Sequence, residues 1–155
     1  MASFLHGGGQ ERGYRAGTEN VYGIVGLGKA AELAYQHLVK DRQYIQSIKD
    51  YFKEQLLANF KDIQFNGHSK NSLFTVLNVS FPENDAASML LFNLDIEGIC
   101  ASGGSACNSG ASTGSHVIDA IRPNSNRINI RFSFSKYNHL SEVDVVIQVL
   151  KKYFS

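Results

Sequence analysis

Apolar residues recur every three or four positions in two stretches near the start of the chain, and this spacing predicts helices. The first stretch runs from about Val21 to Leu38, and Asn20 stands where an N-cap residue satisfies the free amides of a first turn. The second register comprises Ile45, Ile48, Phe52, Leu56 and Phe60. The two stretches predict either one long, bent helix or a pair of helices.

Two later segments have strand character. Residues 73–81, LFTVLNVSF, are apolar and β-branched, which predicts a buried strand that ends at Pro82. Residues 128–134, INIRFSF, alternate along the chain, so that isoleucine and phenylalanine share one face and Asn129, Arg131 and Ser133 share the other.

Three short helical patterns complete the chain. Asn84 or Asp85 is expected to cap a helix that reaches about Leu94, residues 115–121 form a second one, and an amphipathic helix is expected to open at Ser141. The fold predicted is therefore α/β, of the α+β kind, with a small, mainly antiparallel sheet covered by helices.

Composition and charge narrow the class of protein. The 155 residues are 43% hydrophobic and 19% charged, which suits one globular domain or a piece of a larger one. A net charge of +1 does not favour nucleic acid or an acidic membrane as a partner. No apolar run is long enough for a membrane span. The two cysteines make no disulfide framework, and no secretory segment is recognised, so a reduced, cytoplasmic protein is expected.

The cysteines differ in their surroundings. Cys107 lies in residues 101–114, ASGGSACNSGASTG, which predict a loop where a thiolate is accessible as a nucleophile. The alternative is an ordinary surface cysteine. Cys100 ends an apolar stretch and is expected to be a small buried hydrophobic residue. With His116, these cysteines have no recognised zinc spacing, so no metal site is expected.

Two further segments carry candidate binding residues. In RGYRAGTEN, the glycines and Thr18 precede a helix N-terminus, where backbone amides and the helix dipole favour phosphate. An ordinary capped turn explains the same pattern, with Arg15 either serving the anion or pairing with Glu11 and Glu19. Arg131, on the polar face of its strand, suits a bidentate contact with a carboxylate, or is a solvated strand residue.

One pair of basic residues resembles an acid–base pair only superficially. His68 and Lys70 lie in GHSKNS, among glycine, serine and asparagine. That composition favours a surface turn.

Three segments in order, HGGGQERGYRAGTENVYGIVGLGKAAELA, GGSACNSG and INIRFSFS, resemble the cysteine desulfurases. These are pyridoxal-phosphate enzymes of the class V aminotransferase group. The cysteine motif resembles the long-loop branch, which serves iron–sulfur cluster assembly.

The resemblance implies a role for each candidate. It implies the C-terminal domain of a fold-type I enzyme, with residues 1–20 ending the large cofactor domain and residues 21–155 forming the small domain. Cys107 would take sulfur from L-cysteine as a persulfide and release alanine. Arg131 would bind the substrate carboxylate, and Thr18 would reach the phosphate of the cofactor held by the other subunit of a homodimer. The sulfur would pass to an acceptor or iron–sulfur scaffold protein.

The resemblance also implies that part of the enzyme lies elsewhere. The Schiff-base lysine and the acidic partner of the pyridine nitrogen are expected upstream of residue 6, so the chain alone is expected to be inactive. Two alternatives remain open: a selenocysteine lyase or another enzyme of the same group, and a non-enzymatic binding or dimerisation module.

Overall fold

The computed structural model describes residues 2–68, 71–84, 87, 89–103, 115–123 and 125–154. The chain divides into two compact units, Met1–Val39 and Lys40–Ser155. Helix α1, Val21–Asn59, contains the boundary between them.

The first unit holds a 3-10 turn, Gln10–Gly13, and the beginning of α1. The Asn20 side-chain oxygen accepts a hydrogen bond from the Gly23 N–H at 3.0 Å, which confirms the predicted N-cap. The structure also resolves the open question about the two helical registers, since α1 is one continuous helix of 39 residues. Within this unit, apolar side chains of α1 are exposed, for example Tyr22 at 92% and Leu27 at 73%.

The second unit is built on a three-stranded antiparallel sheet. Its strands are β1 (Gln64–Asn66), β2 (Val76–Phe81) and β3 (Ile128–Ser133), in the order β1-β2-β3. The short β1 was not predicted. The predicted strand over residues 73–81 begins three residues late, because residues 73–76 form a turn in which the Leu73 carbonyl accepts from the Val76 N–H and from Lys49 Nζ.

Three helices accompany the sheet: α2 (Leu90–Ile96), α3 (His116–Ile121) and α4 (Leu140–Phe154). Two predicted starts are wrong. Helix α2 begins at Leu90 with Met89 at its N-cap position, so Asn84 does not cap it, and the alternative cap, Asp85, lies outside the described residues. The Asn84 side-chain amide donates to the Tyr153 carbonyl at 2.6 Å. At α4, Glu142 reaches back and accepts the His139 N–H at 2.9 Å, so the helix begins one residue before Ser141.

The hydrophobic core lies on one face of the sheet. The second half of α1 buries the predicted apolar register, with Phe52 at 2% and Leu56 at 0% exposure. Phe52 meets the β3 residue Phe132 edge to face, with ring centroids 4.9 Å apart. Further core side chains come from α2, α4, β2 and β3, among them Leu77, Val79, Phe81, Leu90, Leu94, Ile130, Val143, Ile147 and Leu150. The opposite face of the sheet carries mainly polar side chains.

Candidate functional site

Arg131 lies on the polar face of β3, as the alternation predicts. Its neighbours Ile130 and Phe132 are buried in the core at 2% and 5% exposure, while Arg131 itself is half-buried. In the strand register Arg131 stands opposite Asn78 of β2, and Asn78 stands opposite Asn66 of β1. Three polar residues therefore line up across the sheet on the face that the core does not use.

The segment that leads toward Cys107 pairs with β3 at this point. The Arg131 N–H donates to the Ser102 carbonyl at 2.7 Å, and the Ser102 N–H donates to the Arg131 carbonyl at 3.1 Å. The predicted nucleophile, Cys107, lies in residues 104–114, outside the described residues. The main chain entering that segment is thus fixed beside the predicted carboxylate-binding residue.

Arg131 borders a cavity of about 470 Å³, called here the Arg131 cleft. The residues on both sides of segment 104–114, Gly103 and Ser115, line the cleft as well. The rest of its lining is Asn66, Gly67, Asn78, His116, Val117, Ile118 and Ile121. A cavity with one charged group, a few polar groups and an apolar wall is a common form of small-molecule site.

The Arg131 guanidinium makes no hydrogen bond or ion pair with any residue that the structure describes. Arg127, four positions earlier, shows the opposite behaviour. Its side chain donates to the Ser80 hydroxyl at 3.0 Å and the Ser80 carbonyl at 2.9 Å, and it pairs with the Asp62 carboxylate at 3.0 Å. Of these two arginines, only Arg131 has five N–H donors that no described residue uses.

Three cleft residues were missed by sequence reasoning. Asn66 belongs to the unpredicted strand β1, and Asn78 was counted only as part of an apolar strand. The sequence assigns His116 no partner, yet this residue lines the cleft from the first position of α3. A polar residue interrupting the apolar run LFTVLNVSF is the one signal that marked Asn78.

The prediction that Cys100 is buried is wrong, because this free thiol is exposed. Cys100 follows Gly98, whose φ of +76° turns the chain out of α2, and it lies at the edge of a different groove of about 520 Å³. Apolar side chains of α1, β3 and α4 form part of the lining of that groove. The apolar residues before Cys100 therefore mark the end of α2 and not the burial of the thiol itself.

Thr18 lies in the first unit, exposed and two residues before the N-cap of α1. The adjacent Gly17 has a φ of +102°, a conformation that glycine adopts readily. Arg15 donates to the Gly17 carbonyl and pairs with Glu19 at 2.6 Å and Glu11 at 3.5 Å. Of the two alternatives for Arg15, the structure thus shows the ion pairs.

His68 behaves as expected of a surface turn, since its Nδ1 accepts the Asn71 N–H at 3.0 Å. Lys70, its proposed companion, lies outside the described residues. Among the described residues, no group of three or more metal-ligating side chains comes together. No described helix is both long and apolar enough to cross a membrane.

The described residues do not by themselves fit pyridoxal phosphate. None of the described residues that line the Arg131 cleft is a lysine. Lys49 is the buried lysine of the described part, at 4% exposure, and burial beside the Lys53 charge lowers its pKa. Its ammonium donates to the Ser72 hydroxyl at 3.1 Å and to the Leu73 carbonyl at 2.7 Å. Lys49 therefore holds a turn and does not face the cleft.

Comparisons with known proteins agree on one family. The family model described as Aminotransferase class-V matches residues 4–146. A protein named cysteine desulfurase 2, from Trichormus variabilis, is 43% identical over 148 residues, which cover 94% of this chain and 37% of the relative. A cysteine desulfurase from Gluconacetobacter diazotrophicus is 40% identical over 152 residues, covering 97% of this chain and 38% of the relative. The chain spans little more than a third of the length of these relatives.

Solved structures show the same fold. A NifS-like protein from Rickettsia africae superposes with a TM-score of 0.78 at 24% identity, covering 97% of this chain and 39% of that one. A second structure described as a NifS-like protein gives a TM-score of 0.77 at 32% identity, covering 98% of this chain and 38% of that one. The predicted α/β domain with an antiparallel sheet is confirmed.

Proposed function

Because the chain belongs to the aminotransferase class-V family, a family of pyridoxal phosphate-dependent enzymes, we propose that it is the C-terminal part of a cysteine desulfurase. The observation that carries the proposal is the composition of the Arg131 cleft. Arg131 lines the cleft, and its guanidinium has no partner among the described residues. Gly103 and Ser115, which flank the segment containing Cys107, line the same cleft. These positions support the proposal that Arg131 and Cys107 act at one site.

In this proposal Arg131 binds the carboxylate of L-cysteine. A planar guanidinium offers two parallel N–H donors to a carboxylate, and the half-buried setting strengthens such bonds relative to bulk water. The β3 main chain fixes the direction of the arginine through its pairing with Ser102. The side chain therefore orients the substrate as well as binding it.

Cys107 is the proposed sulfur acceptor. It follows Ser102 by five residues, and a fully extended chain covers at most about 3.6 Å per residue, so its Cα is tethered within about 18 Å of Ser102. The sulfur of L-cysteine moves to the Cys107 thiolate. The substrate Cβ–S bond breaks, an S–S bond forms on Cys107, and Cβ takes a proton to give alanine. No outside oxidant is needed, because the carbon is reduced as the thiol is oxidised.

The cofactor and the rest of the enzyme are proposed to lie outside this chain. The chain spans 37% of its relative, and the cleft contains no lysine among its described residues. We expect the Schiff-base lysine in the remaining sequence and Thr18 at the cofactor phosphate of the second subunit of a homodimer. The exposed apolar side chains of residues 21–39 support further protein contacts, since such surfaces are usually covered. The proposed setting is cytoplasmic, with a sulfur acceptor or iron–sulfur scaffold protein as partner.

The test uses the full-length protein that contains this chain. After incubation with L-cysteine, mass spectrometry of its peptides should find one added sulfur on Cys107, and alanine should appear in solution. Cys107→Ala should abolish both, while the matched variant Cys100→Ala should leave both largely intact. We expect the 155-residue chain alone to form no alanine.

Three results would redirect the proposal. Alanine formation that survives Cys107→Ala would remove Cys107 from the reaction. Faster turnover of selenocysteine than of cysteine would favour a selenocysteine lyase. No product from either amino acid, with the cofactor bound, would favour a non-enzymatic module.

A further inference from the structure

An amide cluster lies beside Arg131 on the polar face of the sheet. The side-chain nitrogen of Asn66 donates to the Asn78 Oδ1 at 2.8 Å and to the Asn129 Oδ1 at 2.8 Å. Both of its hydrogens are therefore used. Asn129 is satisfied as well, since its Nδ2 donates to the Arg127 carbonyl at 3.0 Å. The cluster joins all three strands of the sheet.

The Asn66 bond determines which end of the Asn78 amide remains available. Because Asn78 Oδ1 accepts from Asn66, Asn78 Nδ2 occupies the other branch of the planar amide. This nitrogen donates to no residue that the structure describes, and Asn78 lines the Arg131 cleft. Asn78 is thus the member of the cluster that offers free donors to the cavity.

The strand pairing brings these donors close to the guanidinium. Both main-chain polar groups of Arg131 bond to Ser102, so they point away from β2. The Arg131–Asn78 pair is consequently of the type without main-chain hydrogen bonds, in which the Cα atoms are about 4.5 Å apart and the side chains are closest.

No hydrogen bond joins these two side chains in the described structure. Arginine has only donors, and the Asn78 oxygen accepts from Asn66. The guanidinium and the Asn78 Nδ2–H₂ group are therefore two adjacent donor groups, and a carboxylate has enough lone pairs to accept from both.

We propose that Asn78 is a second binding residue for the carboxylate held by Arg131, and that Asn66 is a positioning residue that fixes the Asn78 amide with its nitrogen toward the cleft. This proposal rests on the proposed role of Arg131. It adds a neutral donor that distinguishes a planar carboxylate from a spherical anion such as chloride.

The experiment is an NMR titration of the 155-residue chain with sodium acetate, against sodium chloride at equal ionic strength. Acetate, up to about 100 mM for weak binding, should shift the Arg131 Nε–H and Asn78 Nδ2–H₂ signals along one binding curve, while chloride should not. Asn78→Ala should weaken acetate binding about tenfold, as expected for losing one bond to a charged group. Ser133→Ala, on β3 but outside the cleft lining, should leave the affinity unchanged.

A double-mutant cycle isolates the role of Asn66. Asn66→Ala should weaken acetate binding when Asn78 is present and have no further effect in the Asn78→Ala background, because it acts through that residue. A merely structural role would weaken binding equally in both backgrounds. Asn78→Asp can still accept from Asn66, so it keeps the cluster while replacing the donors with a competing carboxylate. It should abolish acetate binding even if Asn78→Ala disturbs the fold.

The outcomes separate this proposal from the proposed function. Acetate binding that shifts Arg131 but is unchanged within about twofold by Asn78→Ala would overturn the role of Asn78 and leave Arg131 in place. Equal effects of Asn66→Ala in both backgrounds would overturn the positioning role. The absence of any acetate response at Arg131 would overturn both the carboxylate site and this extension of it.

Discussion

Arg127 and Arg131 allow a direct test of which arginine stabilises the fold. They lie four residues apart at β3, and replacing either one by methionine removes the guanidinium while keeping most of the aliphatic stem. Arg127 bonds to Ser80 and Asp62, whereas Arg131 makes no side-chain bond to a described residue. The same substitution should therefore have very different consequences at the two positions.

The magnitude follows from what each substitution leaves behind. Ser80 is 0% exposed. Arg127→Met removes the hydrogen bonds that the guanidinium donates to the Ser80 hydroxyl and to the Ser80 carbonyl oxygen, at a cost of about 1–3 kcal/mol. The Asp62 side chain is 67% exposed, so the lost ion pair adds at most about 1 kcal/mol. Arg127→Met should thus lower the free energy of unfolding by about 1–4 kcal/mol. Arg131→Met should change it by no more than about 0.5 kcal/mol.

Urea unfolding of the 155-residue chain, followed by far-ultraviolet circular dichroism, measures both values. The dependence of the free energy of unfolding on urea concentration should have the same slope in the parent and in both methionine variants. Differences between their unfolding midpoints then measure differences in stability. Arg127→Lys keeps the charge but cannot reproduce the two bonds to Ser80, and should recover only part of the loss. Equal losses at the two positions, or a larger loss at Arg131, would refute the assignment of a structural arginine and a binding arginine.

Three further predictions concern the second unit. Phe52→Ala should cost about 3–5 kcal/mol in the same unfolding assay, since the ring is 2% exposed; a loss below about 1 kcal/mol would contradict the core position. Hydrogen bonds from the His139 N–H and a neighbouring amide lower the pKa of Glu142 below its ordinary 4.5. Its ionised form therefore stabilises the fold above that pH, and the benefit is lost as pH falls through the lower folded value. Glu142→Gln should be less stable than the parent at about pH 7, with the gap closing as the pH falls below 4.5 and through the lowered folded pKa, and a gap independent of pH would contradict this. In the Cys107→Ala variant, the exposed Cys100 should react with a thiol reagent nearly as fast as in the urea-unfolded chain, and strong protection would restore the buried interpretation.

The sequence by itself determined the features that depend on local periodicity. The spacing of Ile48, Phe52 and Leu56 marks a helix face that must be buried, and the structure buries it. The alternation in residues 128–134 separates the core side of β3 from the side of Arg131. A side chain's direction in a regular element follows from its position in the repeat, so these predictions need no knowledge of distant residues.

Tertiary structure alone decided which polar residues meet. β1 has only three residues and is a strand because β2 pairs with it. No local sequence pattern therefore predicts that Asn66 lies in a strand. The arrangement of Asn66, Asn78 and Arg131 depends on the register of three strands, and register is a relation between segments far apart in sequence. The exposure of Cys100 has the same origin, because burial depends on which elements pack against a residue and not on how apolar its neighbours in the sequence are.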